Sequence, residues 1–282
     1  MEKSIKKYWP IFVLPTFAAF IIGFIVPFIE GIYLSFCKFT TIRDASFVGL
    51  SNYVEAFKDN TFTHAFGFTA VFAVVTLVLI NVLAFAIALA LTQKIKGTNI
   101  FRTIFFMPNL IGGIVLGYIW QLIFDGIFEK FDLALKLSAK LGFWGLVILI
   151  CWQQIGYMMI VYIAGLQAIP GSLNEAAMID GANKWQRFLR ITLPCLSPII
   201  LYNLVMQTIT AFMAFTQAFV ITQGGPNDAT NFYALYVYNH AFKWSNMGYA
   251  SAMSWLMLVL ISVITLILFK SSKFWVFSEA DQ

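Results

Sequence analysis

Charge is what this chain has least of. Of its 282 residues only 11% are charged, while 60% are hydrophobic. Soluble domains run nearer ~25% charged and about 45–50% apolar. A soluble protein of this length buries much apolar surface, but not some six runs of roughly twenty residues each. Those runs belong in a bilayer, where apolar side chains need no protein core. Cysteine is scarce too. Cys37, Cys151 and Cys195 show no CxxC spacing, which excludes a disulfide framework and a zinc site. His64 and His240 stand far apart, with no HExxH, so no ligand cluster of that kind exists. No GxxxxGK[ST] occurs, so any ATP used is hydrolysed by another chain. The net charge of +5 has no basic cluster interleaved with exposed aromatics. That excludes nucleic acid as a partner and suits loops facing anionic membrane lipid.

What is present is an all-α integral membrane pattern. Six spans are expected: Ile11 to about Phe36, Ala65 to Leu91, Thr103 to Phe124, Gly142 to Leu166, Cys195 to Thr222, and Gly248 to Phe269. The first is too long for a signal peptide and lacks a cleavage site after it. Pro15 and Pro27 should kink it, and Glu30 should sit near its outer end. Residues 37–64 form a polar loop with a short helix. A basic turn fills 93–102, an amphipathic stretch 125–141, and a polar loop with the Gly224-Gly225-Pro226 turn signal 223–247. The domains are then 1–64 (tail, first span and external loop), 65–270 (five helices, with a charged loop at 167–196) and a tail at 271–282. Lys3, Lys6, Lys7, Lys94, Lys96, Arg102, Lys184, Arg187, Arg190, Lys270 and Lys273 fall on one side and outnumber the basic residues of the other loops. That side is expected to be cytoplasmic, with both termini on it. Trp9, Trp144 and Trp275 lie near span ends as interfacial anchors.

One segment between spans is charged and helix-forming, LNEAAMIDGANKWQRFLRITLP at 173–194. Ser172 or Asn174 can cap a helix there, placing Glu175 in its first turn. Ala176 and Ala177 allow close approach of another surface. Asp180-Gly181 interrupts the helix, since glycine permits a sharp turn. A second helix, 182–190, carries Trp185, Phe188 and Leu189 on one face, and Pro194 and Pro198 mark the entry to the fifth span. The product is a helix–turn–helix. An amphipathic linker resting on the membrane surface fits the same residues.

The spacing Glu175-Ala176-Ala177, three residues, Gly181, nine residues, Ile191-x-Leu193-Pro194 resembles the signature loop of ABC importer permeases, the maltose-permease class of sugar permeases in particular. FRTIFFMPNLIGGIVLGYIW, TQGGPNDAT, YNHAF, MGYASAMSW and VGLSNYVEAF resemble other stretches of that class. The resemblance implies a six-helix type I ABC importer transmembrane domain with a cytoplasmic EAA coupling loop. It implies no cofactor in this chain, since ATP and Mg belong to the ATPase. The implied partners are a second related permease, two cytoplasmic ATP-binding subunits, an extracellular solute-binding protein and a sugar, with an oligosaccharide as the expected cargo. Glu175, Ala176, Ala177, Asp180 and Gly181 would dock on an ATPase subunit.

Sugar hydroxyls call for amides, hydroxyls and aromatic faces. Trp152, Gln153, Gln154 and Tyr157 cluster in the fourth span. Asn203, Gln207 and Thr210 share a face of the fifth, with Thr216 and Gln217 beyond. Tyr157 and Gln207 are the residues that the resemblance favours as substrate contacts, with Asn81 and Gln121 as lesser candidates. Hydrogen bonding across helix interfaces explains the same residues without a ligand. The loop Thr222–Thr230 is a candidate contact for the binding protein, or simply a solvated turn. An ion-coupled secondary transporter is the alternative function, but the span interiors carry almost no charge, Glu30 being the one doubtful case. A membrane-embedded enzyme would need a catalytic cluster at membrane depth, and none is evident.

Overall fold

The structure is a computed structural model describing residues 2–93 and 96–277, with side chains described from Tyr8 onward. Lys94 and the side chains of Lys3, Lys6 and Lys7, all used for orientation, lie outside the described residues, as does the tail beyond Phe277. Five helical stretches are long and apolar enough to cross a membrane: Tyr8–Ser35, Asn60–Leu91, Ala139–Ala168, Lys184–Ile221 and Met247–Ser272. A sixth, Thr98–Leu110 with Gly113–Phe131, is bent by 101°. The six expected spans are therefore present, but the third is broken. The cause lies in its sequence. Pro108 sits in a 3₁₀ turn, Met107–Leu110, and lacks a helical donor. Gly112 and Gly113 follow, and a Cβ on Gly113 would meet Thr216 Oγ1 at 2.6 Å.

The chain forms two compact units. One joins residues up to Asn60 with Val237–Leu258; the other joins Thr61–Tyr236 with the residues from Val259 onward. In the first unit, α1 (Glu2–Phe20) and α2 (Val26–Ser35) are joined by a π turn, Ile21–Ile25. The helix passes through Pro15 and widens just before Pro27, where the Val26 N–H bonds to Ile21 O. The wide turn absorbs the donor that Pro27 lacks. A two-residue ladder, β1 (Cys37–Lys38) against β2 (Ser46–Phe47), and α3 (Ser51–Lys58) fill the expected loop. At the ladder's tip the Asp44 carboxylate accepts the Thr41 N–H at 2.8 Å. Backbone hydrogen bonding from Thr41 holds that carboxyl below its ordinary range. Gly248 packs against the Cys37 carbonyl, and Trp255 sits edge-on to Phe28 at 4.7 Å.

In the second unit, α4 (Asn60–Leu91) starts five residues earlier than expected, and α5 (Thr98–Phe106) and α6 (Gly113–Phe128) are the halves of the broken span. α7 (Ala139–Ala168) is the central element: 61% of its apolar window is buried, against none for the first span. Leu146, Leu149, Met158 and Met159 of α7 join Phe72, Ile80 and Leu116 in one core. Its Gly156 meets the Phe105 carbonyl at the break, and a Cβ on its Gly165 would meet Ile199 Cγ1 at 2.7 Å. Small residues at these points let the helix backbones approach closely. The Gly224-Gly225-Pro226 loop, with a cis Gly225–Pro226 bond, folds inward. Thr230 and Asn231 are buried, and the Thr230 hydroxyl donates to Gly225 O at 2.6 Å. Only Gln223, Asn227 and Asp228 of the loop are well exposed.

Candidate functional site

The charged segment builds a stiff corner. α8 spans Gly171–Ile179 and begins after Pro170, with no side-chain cap. This corrects the expectation that Ser172 or Asn174 caps it: Pro170 turns the chain one step earlier, so Glu175 lies mid-helix, exposed, rather than in the first turn. Ala176 is exposed beside it and Ala177 is half-buried. At the other end Asp180 is the C-cap and Gly181 adopts φ +79°. The Ala182 N–H bonds to Ala177 O at 2.9 Å and the Gly181 N–H to Met178 O at 3.1 Å. This is the Schellman arrangement, which needs a left-handed residue at the Gly181 position. A reciprocal box follows at once. Asn183 Oδ1 accepts the Gln186 N–H, and Gln186 Oε1 accepts the Asn183 N–H, each at 2.8 Å. Every turn of the corner is closed by its own hydrogen bonds.

α9 (Lys184–Arg187) then runs through a π turn, Phe188–Thr192, into α10 (Leu193–Phe212) without a break. The expectation of a separate second helix ending before the prolines is thus corrected. Pro194 sits at the start of α10 behind the π turn, where the Leu193 N–H reaches back to Phe188 O. Pro198 leaves the Pro194 carbonyl without its helical donor, and the Ser197 hydroxyl donates to that carbonyl at 2.6 Å. The Ser197 oxygen also accepts the Phe277 N–H at 2.7 Å. Of the apolar face, Phe188 packs against Phe85 and stacks with Trp185, while Trp185 and Leu189 stay exposed, as do Met178 and Ile179. A concavity of about 320 Å³ lies inside the corner, lined by Asp180, Gln186, Arg187 and Arg190 among others.

The second locus lies within the spans. Asn203 and Gln207 on α10 are 0% and 2% exposed. Among the described residues, both polar atoms of the Asn203 amide and Nε2 of Gln207 meet no partner at hydrogen-bond geometry, although the Asn203 amide lies near the Tyr162 hydroxyl. Each such buried group costs about 1–3 kcal/mol. Tyr157, half-buried on α7, shares a hydrogen bond of 3.2 Å with the Tyr202 hydroxyl. The Tyr162 hydroxyl donates to Asn81 Oδ1 at 2.7 Å. Gln153 does not join this group. It is buried and accepts from Gln217 Nε2 at 2.8 Å, while the Thr216 hydroxyl donates to Gln217 Oε1 at 2.9 Å. That chain of amides lies against Gly113, at the break of the third span. Thr210 donates to Met206 O of its own helix, and Gln154 and Gln121 are partly buried. Tyr202 and Tyr162 were missed by sequence reasoning. A phenol inside an apolar span, like the amides nearby, was the available signal. Among the described residues no group of three or more His, Cys, Asp or Glu side chains is placed to hold a metal ion.

Six apolar segments, one of them broken, with a locked charged corner between the fourth and fifth, are the pattern of an importer permease. Residues 83–274 match the family described as binding-protein-dependent transport system inner membrane component, and the chain belongs to that family. It is 41% identical over 281 residues to the probable ABC transporter permease protein YesP of Bacillus subtilis (strain 168), covering 93% of this chain and 91% of that one. It is 39% identical over 268 residues to the probable starch degradation products transport system permease protein AmyD of Thermoanaerobacterium thermosulfurigenes, covering 92% and 91%. Its fold matches a chain in the crystal structure of a bacterial ABC transporter involved in the import of the acidic polysaccharide alginate, with a TM-score of 0.83 at 21% identity, covering 96% of this chain and 97% of that one. The chain is therefore a multi-pass membrane permease subunit of an ABC importer, itself without enzymatic activity. Family membership selects the ATP-driven reading over the ion-coupled one.

Proposed function

We propose that this subunit passes a neutral oligosaccharide across the cytoplasmic membrane by alternating access, driven by a separate ATPase through the 171–192 corner. In this reading both termini and the corner face the cytoplasm, as the distribution of basic residues suggests. The corner docks on one of two ATP-binding subunits. Glu175 meets a basic group there, Ala176 and Ala177 permit close packing, and Asp180 with Gly181 sets the turn. A second, related permease and an extracellular binding protein complete the importer.

The observation that carries the reading is continuity. Helix runs unbroken from Lys184 to Phe212, so the corner and the Asn203–Gln207 row share one rod. About 35 Å of helix separates Lys184 from Gln207 at 1.5 Å per residue. When ATP closes the ATPase pair, the docked corners move together and the rods rock between inward- and outward-open states. Asn203 and Gln207 then exchange their unsatisfied burial for hydroxyls of the passing sugar, while Tyr157 and Tyr202 offer ring faces. Gln153 acts in this scheme as packing between helices, and Gln154 and Thr210 contribute less than Gln207. The row has amides and phenols but no cation, which suits a neutral saccharide, such as the starch products named for AmyD, better than an acidic one.

Uptake of labelled maltodextrins and uronate oligosaccharides into vesicles containing the whole importer tests this. Neutral chains are expected to enter; uptake of uronates alone overturns the substrate reading. Glu175→Lys is expected to abolish uptake while the chain remains inserted. Normal uptake by that variant overturns the docking role.

A further inference from the structure

Helix α3 is held where its apolar face has no protein in the described structure to lie on. Its inward face is tethered. Asn52 is buried and its amide donates to Ser35 O and Cys37 O, each at 2.9 Å. The Tyr53 hydroxyl donates to Ser35 Oγ at 2.7 Å, and its ring lies 5.5 Å from that of Phe36. Two of these hydrogen bonds fix α3 to Ser35, at the end of the first span, and the third fixes it to Cys37 on β1. The opposite face is apolar: Leu50 is 62% exposed and Val54, four residues on, 50%. Phe47 on β2 is 67% exposed.

Depth identifies what covers that face. The first span, Tyr8–Ser35, has 28 residues, or about 42 Å of helix, against about 30 Å of hydrocarbon and roughly 40–45 Å with the headgroups. Its Ser35 end therefore lies at headgroup level, and α3, bonded to Ser35 and Cys37, lies there too. The Phe47 ring stacks on Tyr33, 6.4 Å away on the exposed side of the span. Tyrosine at that depth is the usual residue of the interfacial belt. Glu55 and Lys58 are exposed on the same short helix, and their charged heads can stay among the headgroups. An apolar stripe on a short amphipathic helix, held at this depth and continuous with an aromatic belt, meets the boundary between headgroups and acyl chains.

We propose that α3 and Phe47 form an interfacial anchor, with Phe47, Leu50 and Val54 seated in the phospholipid leaflet on the Ser35 side. The anchor fixes the height of the first span and leaves the soluble binding protein to meet other surfaces. It depends on the chain crossing a membrane, not on the cargo or the docking role.

The test is spin-label accessibility at Val54→Cys in the whole importer, reconstituted in phosphatidylcholine–phosphatidylglycerol vesicles. Cys37 and Cys151 are buried, and Cys195→Ser removes the remaining accessible thiol. Ile22→Cys serves as the membrane-depth reference and the free spin label in buffer as the aqueous one. Retained membrane insertion and ATPase activity of the labelled importer certify its fold. The label at position 54 is expected to collide with oxygen in preference to a water-soluble nickel chelate, with a ratio within about threefold of that at Ile22, since interfacial helices bury their apolar face only partway. A ratio like that of the free label overturns the proposal, because the face is then in water. Protection from both reagents also overturns it, because the face is then covered by protein. Phe47→Cys repeats the measurement at a site outside the helix, so that disruption of α3 alone cannot decide the result.

Discussion

The corner at 171–192 and the amide row in the spans are two polar devices on one rod, built on opposite principles. In the corner, Gly181, Ala182, Asn183 and Gln186 all have their backbone or side-chain groups closed locally, by bonds of 2.8 to 3.1 Å. In the row, Asn203 and Gln207 leave three polar atoms buried and unmatched. A fully closed turn holds its shape against load, so it can transmit displacement. A set of unmatched amides holds a standing penalty that a polar guest or a rearranged helix can relieve. The contrast explains how one rod can be rigid where force enters and receptive where cargo passes.

The most severe way to break the comparison is to spoil the corner. Gly181 has open space around the position of a Cβ, so what it supplies is conformation alone. Gly181→Val forces a β-branched residue to φ near +79° and should reduce sugar-stimulated ATPase activity and uptake at least about tenfold, while Gly181→Asn, which tolerates that region, keeps most of both. Equal loss in the two variants would mean that side-chain clash with a partner, not backbone shape, is what matters. The row is probed next. Asn203→Leu removes two unmatched atoms, so the protein should become more stable by about 1–3 kcal/mol in thermal unfolding while uptake falls. Lower stability would show that the amide is satisfied in the native importer at rest. The smallest effect is expected at the cap. Asn183→Ala should cost about 0.5–2 kcal/mol locally and loosen coupling without abolishing it, read as a lowered ratio of sugar transported to ATP hydrolysed.

The spans and the corner were legible in the sequence for a simple reason. Apolar runs and the EAA-to-Gly181 spacing are local signals, readable within one window. The break in the third span was written in Pro108 and Gly112-Gly113, yet average hydropathy carries no information on direction, and a bent run scores like a straight one. The continuity of α9 with α10 was hidden because prolines normally read as helix ends. Here the π turn and the Ser197 hydroxyl supply what Pro194 and Pro198 withhold. The pairing of Gln153 with Gln217 joins residues far apart in the chain, and spacing along one helix cannot reveal a partner on another. The same limit hid the Asn52 tether.

The π turn at Phe188–Thr192 has a further consequence as a phase setter. A π turn accommodates one residue more than the α-helix it interrupts. Everything beyond it is thereby rotated by about 100° relative to an uninterrupted helix. Shortening the chain by a single residue at Leu189 would let the segment revert to α-helix. The lost residue and the lost wide turn would cancel, so the row of Asn203 and Gln207 would keep its facing on the rod, with the corner left as it was. One-residue differences in this stretch are thus absorbed by the turn, so that related chains can differ in length here without re-aiming the polar row.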